Sequence, residues 1–401
     1  MRILFVSDTY YPHLNGVYYF VCRVAPLLQA KGHQVAVIAP SETVHSSLKK
    51  IDDIDVYGIP SLPVLYYPNV RFPIPFLLMP RVNHILKTFK PDIIHIQDHF
   101  SIARAVVQSG KKSGIPIIGT NHFMTENLTS LVRYEKWKKK LSAIMWSKFS
   151  DTFNQLSLVT TPSETAARLI RPKLDVEVVP VSSGIDLNDF NPYGDTTMVR
   201  EKYFIPDKPV LLYVGRLDPE KKMEEVLYAV ARAVKKTDLH LVVVGKGIRK
   251  LALEELAKEL GIADRVIFTG FVPDGDLPYF YKLSRCFIIA STAELLSLST
   301  LQAMATGLPV IAVNAGALGE LVHDQVNGYL YTAGDIEAMV QCIYNIFGRD
   351  DLSRAMGLKS LEYSHYHDIF KTIESFERIY TSKSRTEINY RTAQPELLNI
   401  T

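Results

Sequence analysis

Short runs of β-branched and aliphatic residues alternate with longer amphipathic stretches from one end of the chain to the other. Arg2–Ser7 (RILFVS) reads as a strand, Tyr10 to Asn15 as a turn, and Val17–Lys31 as a helix leading through Gly32-His33 into a strand at Val35–Ala39. Further strands are predicted at Ile93–Ile96, Pro116–Thr120, Leu158–Thr161 and Val176–Val179, with helices over Ile102–Lys111 and around Trp137–Phe153. The pattern restarts at Pro209–Gly215, with a helix over Met223–Val234 whose apolar residues fall at 223, 226, 227, 230 and 234. Leu239–Val244, Val266–Thr269, Cys286–Ala290 and Pro309–Val313 complete a second set of strands. Strands separated by helices imply an α/β protein with parallel sheets covered on both faces.

The two sets are divided by Pro180–Pro192, rich in turn residues and without period. Domains are therefore expected over 1–185 and 186–360. Residues after about 383 are polar and aperiodic and are expected to form a loose tail. The 34 residues from Cys286 to Gly319 carry one charge, Glu294, and are long enough to span a bilayer. Gly307, Pro309 and Gly316 interrupt them, so they read as a buried strand, helix and strand. The N-terminal apolar run, Ile3 to Val6, is too short for a signal sequence. A cytoplasmic protein is expected.

Composition narrows the chemistry. At 401 residues the chain can bury two cores, and 47% apolar against 22% charged residues excludes wholesale disorder. A net charge of +3 announces no nucleic-acid partner, but it is unevenly spread: residues 1–190 carry +6, residues 191–401 carry −3, and 131–150 alone carry +5. Cys22, Cys286 and Cys342 are far apart with no CxxC pair, so neither a disulfide framework nor a zinc site is indicated. Phosphate-loop, zincin and hydrolase-elbow motifs are absent, and Gly245-Lys246-Gly247 lacks the third glycine of a dinucleotide fingerprint.

What remains points to an anionic ligand. Asn15-Gly16-Val17 opens a helix after the first strand, where glycine admits close approach and free N–H groups face a phosphate; a plain turn glycine would look the same. Arg216 and Lys221 flank Pro219 just past a strand end, a fork and a point charge suited to a diphosphate. Internal ion pairing with Asp218 and Glu220 is the competing reading. Glu294 is costly to bury unless paired or hydrogen-bonded, and sugar hydroxyls are suitable partners. His122, in Gly119-Thr-Asn-His-Phe123, follows another strand end and by itself is no more than a structural histidine.

Taken in order, the motifs resemble those of family 4 retaining glycosyltransferases over roughly residues 1–380. The matches are Asp8-Thr-Tyr-Tyr-Pro12 with Asn15-Gly16-Val17, Pro91-Asp-Ile-Ile-His-Ile96, Val159-Thr-Thr-Pro-Ser163 and Ser183-Gly-Ile-Asp186. Val214-Gly-Arg-Leu-Asp-Pro-Glu-Lys221, Val243-Val-Gly-Lys-Gly247, Val266-Ile-Phe-Thr-Gly270 and Gln302-Ala-Met-Ala-Thr-Gly-Leu-Pro-Val310 complete them. The resemblance implies a GT-B fold, two Rossmann-like domains with parallel sheets facing each other across a cleft, and a C-terminal helix, 361–382, crossing back to the first domain. It implies no metal and a nucleotide-sugar donor, UDP-linked in preference to GDP-linked. It places Arg216 and Lys221 on the donor diphosphate with Gly16 and Gly245 nearby, Glu294 on the hexose hydroxyls, and Gln302 on the ribose. Ser297 and Leu298 follow Glu294 in the donor site, His122 lies near the reacting sugar, and Phe271 and Val272 frame the base. The sequence departs from the family where its second motif glutamate is Gln302 and a customary glycine is Ser297.

The basic Arg133–Phe149 segment resembles an interfacial membrane helix, with Tyr134, Trp137, Leu141, Ile144 and Met145 on one stripe. Trp137, Lys138, Lys139, Lys140 and Trp146 are the candidate membrane contacts; a stripe packed on the first domain's sheet would give the same pattern. Tyr57–Pro80 reads as a Pro-broken, aromatic loop. Together these resemble features of relatives that glycosylate diacylglycerol or phosphatidylinositol, and imply a lipid acceptor and peripheral attachment to an anionic membrane. A soluble acceptor, or a non-catalytic sugar-nucleotide binder, are the alternatives.

Overall fold

A computed structural model describes residues 1–10, 16–64, 67–124 and 134–393. Pro12, Asn15 and Arg133, and with them the Tyr10–Asn15 turn, lie outside the described residues or at their edge. The chain forms two units, each with its own core: one holds the described residues of 1–182 together with those from 372 onward, the other is Ser183–Lys371.

The first unit is built on an eight-stranded sheet of order β10-β9-β8-β7-β1-β2-β4-β3. In chain order its strands are β1 (Arg2–Val6), β2 (Gln34–Pro40), β3 (Ser47–Ile51), β4 (Ile54–Ile59), β7 (Ile93–Ile96), β8 (Ile117–Thr120), β9 (Leu158–Thr161) and β10 (Val178–Pro180). All pairs are parallel except β3 with β4. Residues Ile3 to Val6 are buried along their whole length, which is why the run is continuously apolar rather than alternating. The order reverses between β1 and β7.

The second unit holds a six-stranded parallel sheet of order β13-β12-β11-β14-β15-β16. Its strands are β11 (Val210–Val214), β12 (His240–Val244), β13 (Val266–Gly270), β14 (Cys286–Ile289), β15 (Val310–Val313) and β16 (Gly328–Tyr331). Here the reversal lies between β11 and β14. The low-charge stretch resolves into β14, the Leu298–Ala305 helix and β15, and no described helix is long and apolar enough to cross a membrane. The chain enters and leaves this unit side by side: Ile185 N–H donates to His367 O (2.8 Å) and Ile369 N–H to Ile185 O (3.0 Å).

Two expectations are corrected and one element is added. The Tyr57–Pro80 loop is instead the end of β4, a two-stranded ribbon of β5 (Ser61–Val64) and β6 (Tyr67–Pro73), and the start of a helix at Pro75. A ribbon has only edges, so Pro63 and Pro73 forfeit no interior hydrogen bond, and Pro75 occupies a first-turn position whose N–H needs no partner. The β3–β4 hairpin was not foreseen because Asp52 and Asp53 make its turn at φ 49° and 60°, where Asn-Gly is the usual signal. Of the tail expected from 383, residues 383–393 continue the Ile369–Ala393 helix, and the remainder lies outside the described residues. Once Phe376 and Tyr380 are buried, each further residue adds a hydrogen bond without repeating the cost of nucleation.

Candidate active site

Open α/β sheets bind ligands beyond the carboxyl ends of their strands, where the strand order reverses. In the second unit that point lies past Val214 of β11 and Ile289 of β14, and Arg216, Lys221 and Glu294 stand in the segments that follow these two strands. Lys221 Nζ meets Glu294 Oε1 at 2.6 Å and reaches Ser291 Oγ at 3.5 Å. Both ionic side chains are largely withdrawn from water, at 14% and 13% exposure. The peptide of Glu294 is clamped as well, since Ala317 N–H donates to its carbonyl at 3.0 Å. Gly316 makes that approach possible: at φ +55°, a Cβ there would sit 2.8 Å from Glu294 O.

Arg216 takes another course. Its guanidinium, 58% exposed, pairs with Asp218 and with Glu220 (2.6 Å) while Lys221 turns inward to Glu294. The two cations therefore do not share one anionic partner. The short helical turn Pro219–Lys221 brings Glu220 back beneath Arg216, as four-residue spacing does on a helix. Tyr213, which the sequence reading missed, supports this loop by donating from its hydroxyl to Arg216 O (2.8 Å). Burial, and next the charge of Glu294, push its phenol pKa far up, so it remains a donor.

The glycines of Gly245-Lys246-Gly247 serve backbone packing. A Cβ on Gly245 (φ +140°) would lie 1.9 Å from Gly215 O, and one on Gly247 would lie 2.3 Å from Leu217 O. Leu217 N–H donates to Lys246 O and Arg249 N–H to Leu217 O, both at 2.9 Å, so the loops after β11 and β12 are laced together. Beyond β13, Phe271 is exposed with Lys246 Nζ 5.6 Å from its ring centre, and Val272 is buried. Ser297 caps the Leu298–Ala305 helix, its Oγ accepting from Thr300 N–H at 3.2 Å, so the serine in place of glycine has a local structural role. Leu298 is the first residue of that helix. Gln302 Oε1 accepts from the buried Tyr281 hydroxyl at 2.8 Å. The partners of these motif residues (Ser291, Tyr281, Gly316) sit outside any motif, and only folding brings them in.

In the first unit the sheet reversal lies past β1 and β7. Asp8 and Asp98 are buried there, Asp98 Oδ2 accepting from Asp8 N–H at 2.7 Å. The Asp8 carboxylate also accepts from Ile102 N–H (2.9 Å) and Ala103 N–H (3.1 Å), closing the N-terminus of the Ser101–Lys112 helix, whose N-cap Phe100 offers no side-chain acceptor. Burial raises both carboxyl pKa values, and Asp8 adds its charge to Asp98. His122, past β8, bonds through Nε2 to Gln97 Oε1 at 2.9 Å, with the Phe20 ring centre 5.0 Å away. Desolvation lowers its pKa to about 4, so it is neutral at pH 7. Gly16 opens the Gly16–Ala30 helix with open space where a Cβ would stand.

The membrane candidates divide. On the Glu135–Phe153 helix, Tyr134 just before it and Trp137, Leu141 and Ile144 along it are exposed, Trp137 by 61%, and Lys136, Lys139 and Lys140 are exposed beside them. Lys138 is half-buried, and Lys140 Nζ lies 5.5 Å from the Trp137 ring centre. The sheet-facing side is instead Phe149 and Phe153. Trp146 goes with that side: it packs edge-on against Phe123 (5.6 Å) and Phe149 (5.3 Å), with Lys173 over its ring, which corrects its place among the membrane contacts. Among the described residues no group of three His, Cys, Asp or Glu side chains is placed to hold a metal ion.

The comparisons with known proteins agree with this architecture. Residues 14–189 match the model for Glycosyltransferase Family 4, and residues 195–360 that for Glycosyl transferases group 1. An alpha-monoglucosyldiacylglycerol synthase of Streptococcus pneumoniae is 31% identical over 340 residues, 82% of this chain and 75% of that protein. A second such synthase, from Acholeplasma laidlawii, is 26% identical over 84% of this chain and 86% of its own length. A GDP-mannose-dependent alpha-mannosyltransferase of Mycolicibacterium smegmatis is 26% identical with the same two shares. The structure of sucrose-phosphate synthase from Thermosynechococcus elongatus superposes with a TM-score of 0.77 at 19% identity, covering 95% of this chain and 98% of that one. Both halves of the chain carry the sheets of the GT-B fold, and the chain belongs to glycosyltransferase family 4.

Proposed function

We propose that the protein transfers a hexose, with retention at the anomeric carbon, from a nucleoside diphosphate sugar to a diacylglycerol-type lipid at an anionic membrane surface. The contact between Lys221 and Glu294 carries the donor half of this reading. It is an ion pair largely withdrawn from water at a sheet reversal, and each member suits one part of a nucleotide sugar. A diphosphate draws Lys221, with Arg216 adding its fork from the exposed loop, and the freed carboxylate accepts from sugar hydroxyls. As the glycosidic bond breaks, positive charge develops on the sugar ring and negative charge on the departing diphosphate, and the two cations stabilise the latter. Phe271 offers a face for the base and the Gln302 amide a partner for the ribose. The family resemblance assigns His122 to the reacting sugar.

The lipid half is supported by the exposed Trp137 stripe with its lysines, and by the names of two of the relatives. Trp and aliphatic side chains enter the headgroup boundary while flanking lysines meet anionic lipid. UDP is the donor nucleotide in this reading; the mannosyltransferase relative makes GDP-mannose the second donor to try. The test incubates the protein with UDP- and GDP-sugars, with and without diacylglycerol in anionic vesicles, and identifies products by mass spectrometry and anomeric configuration by NMR. A glycosyl-diacylglycerol of retained configuration is expected. Transfer only to soluble compounds would replace the acceptor, and donor binding without turnover would leave a sugar-nucleotide binder.

A further inference from the structure

Gln97 follows β7 in the first unit and is buried, with its backbone N–H held by Val6 O at 2.9 Å. Its side-chain amide spans two groups. The NH2 end donates to the carbonyl of His95 at 3.4 Å, and the oxygen end faces Nε2 of His122 at 2.9 Å. The His95 carbonyl can only accept, so turning the amide over would set two acceptors against each other. With the amide fixed, its oxygen can only accept, and Nε2 of His122 must carry the proton. A neutral imidazole has one N–H, so Nδ1 is left as a lone pair, and no described residue donates to it. Phe20 lies against the same imidazole and packs in turn on Phe376 (5.8 Å) of the C-terminal helix, which restrains the ring plane.

We propose that Gln97 is a positioning residue that fixes His122 as the Nε2–H tautomer, so that Nδ1 accepts a hydrogen bond from a substrate hydroxyl during transfer. The inference rests on the placement of His122 near the reacting sugar in the reading above. It gives that residue a definite role, as an uncharged acceptor rather than a cation. The lowered pKa of the imidazole agrees with this, since a charged ring would donate from both nitrogens.

The test is long-range 1H–15N NMR of the 15N-histidine-labelled protein at neutral pH, with the His122 signal assigned by its loss in His122→Gln. The expected wild-type spectrum has a protonated Nε2 and a pyridine-like Nδ1. Gln97→Met keeps the length and removes the acceptor, so the nitrogen shifts should move toward a tautomer mixture. The kcat should then fall roughly five- to tenfold, the loss of about one neutral hydrogen bond, with KM for the donor little changed. A wild-type spectrum with Nδ1 protonated overturns the assignment without any appeal to activity, and so does a Gln97→Met spectrum identical to wild type. A shifted tautomer with unchanged kcat would instead leave Gln97 in control of the ring and remove His122 from the reaction.

Discussion

At the scale of single residues, Lys221 and Glu294 hold each other in the structure and are assigned different ends of the donor. Lys221→Ala should lower kcat by about a hundredfold or more, the scale of losing one group that stabilises leaving-group charge. Glu294→Gln keeps the shape and removes the charge, so it should fold and lose most transfer. Steady-state kinetics with a thermal melt on each variant separates these losses from unfolding. Two histidines of the first unit make a pH prediction. Burial lowers His99 and His122 from the ordinary 6.5 to about 4. Between those values the unfolded chain binds protons that the folded chain does not. Stability is therefore complete above about 6.5 and falls as pH drops toward 4, by about 1.4 kcal/mol per pH unit for each ring. Urea unfolding from pH 6.5 to 5 should show stability falling with pH, with the buried His95, whose pKa is also lowered by burial, adding to the slope, and His122→Asn should reduce that slope by about one proton.

At the scale of elements, the loops after β11 and β12 depend on a backbone approach that a side chain would block. Gly245→Ala meets a carbonyl at 1.9 Å and a φ of +140°, so it should cost on the order of 1–3 kcal/mol or more in stability. Ser297→Ala removes a helix cap and should cost about 1 kcal/mol, whereas Ser297→Gly should cost only a few tenths. Chemical denaturation of the three variants checks the order. The motif Gly-x-Gly was visible in the sequence, but whether its glycines served a phosphate or the neighbouring loop was not. That depended on Gly215 and Leu217, about thirty residues away, coming within contact. The same limit applied to Arg216: the competing acids Asp218 and Glu220 were adjacent in the sequence, and only the turn at Pro219 decided which cation they took.

At the scale of the molecule, the exposed stripe of the Glu135–Phe153 helix predicts attachment to membranes. Trp137, Leu141 and Ile144 stand in water with lysines beside them, and the chain has no described helix that could span a bilayer. Sedimentation should show binding to anionic but not neutral vesicles, weakening as salt is added. Lys138/Lys139/Lys140→Glu should abolish it with the fold intact. Equal binding to both vesicle types would remove the electrostatic argument, and no binding to either would favour a soluble acceptor.

Several features were determined by the sequence alone. The alternation of buried strands and amphipathic helices follows from local patterning, because strands covered on both faces are continuously apolar and their helices are apolar on one stripe. The isolation of Glu294 in an apolar stretch, and the ordered motifs, were equally legible, since each is a property of neighbouring residues. The tertiary structure decided everything that joins distant positions. It paired Lys221 with Glu294, Gln302 with Tyr281 and His122 with Gln97, and it closed the N-terminus of the Ser101–Lys112 helix with the carboxylate of Asp8. It also turned the Trp137 stripe outward and Trp146 inward, a choice that the pattern of one amphipathic helix leaves open. A helical stripe records which residues share a face; what that face meets depends on the packing of the sheet, set by strands far away in the chain.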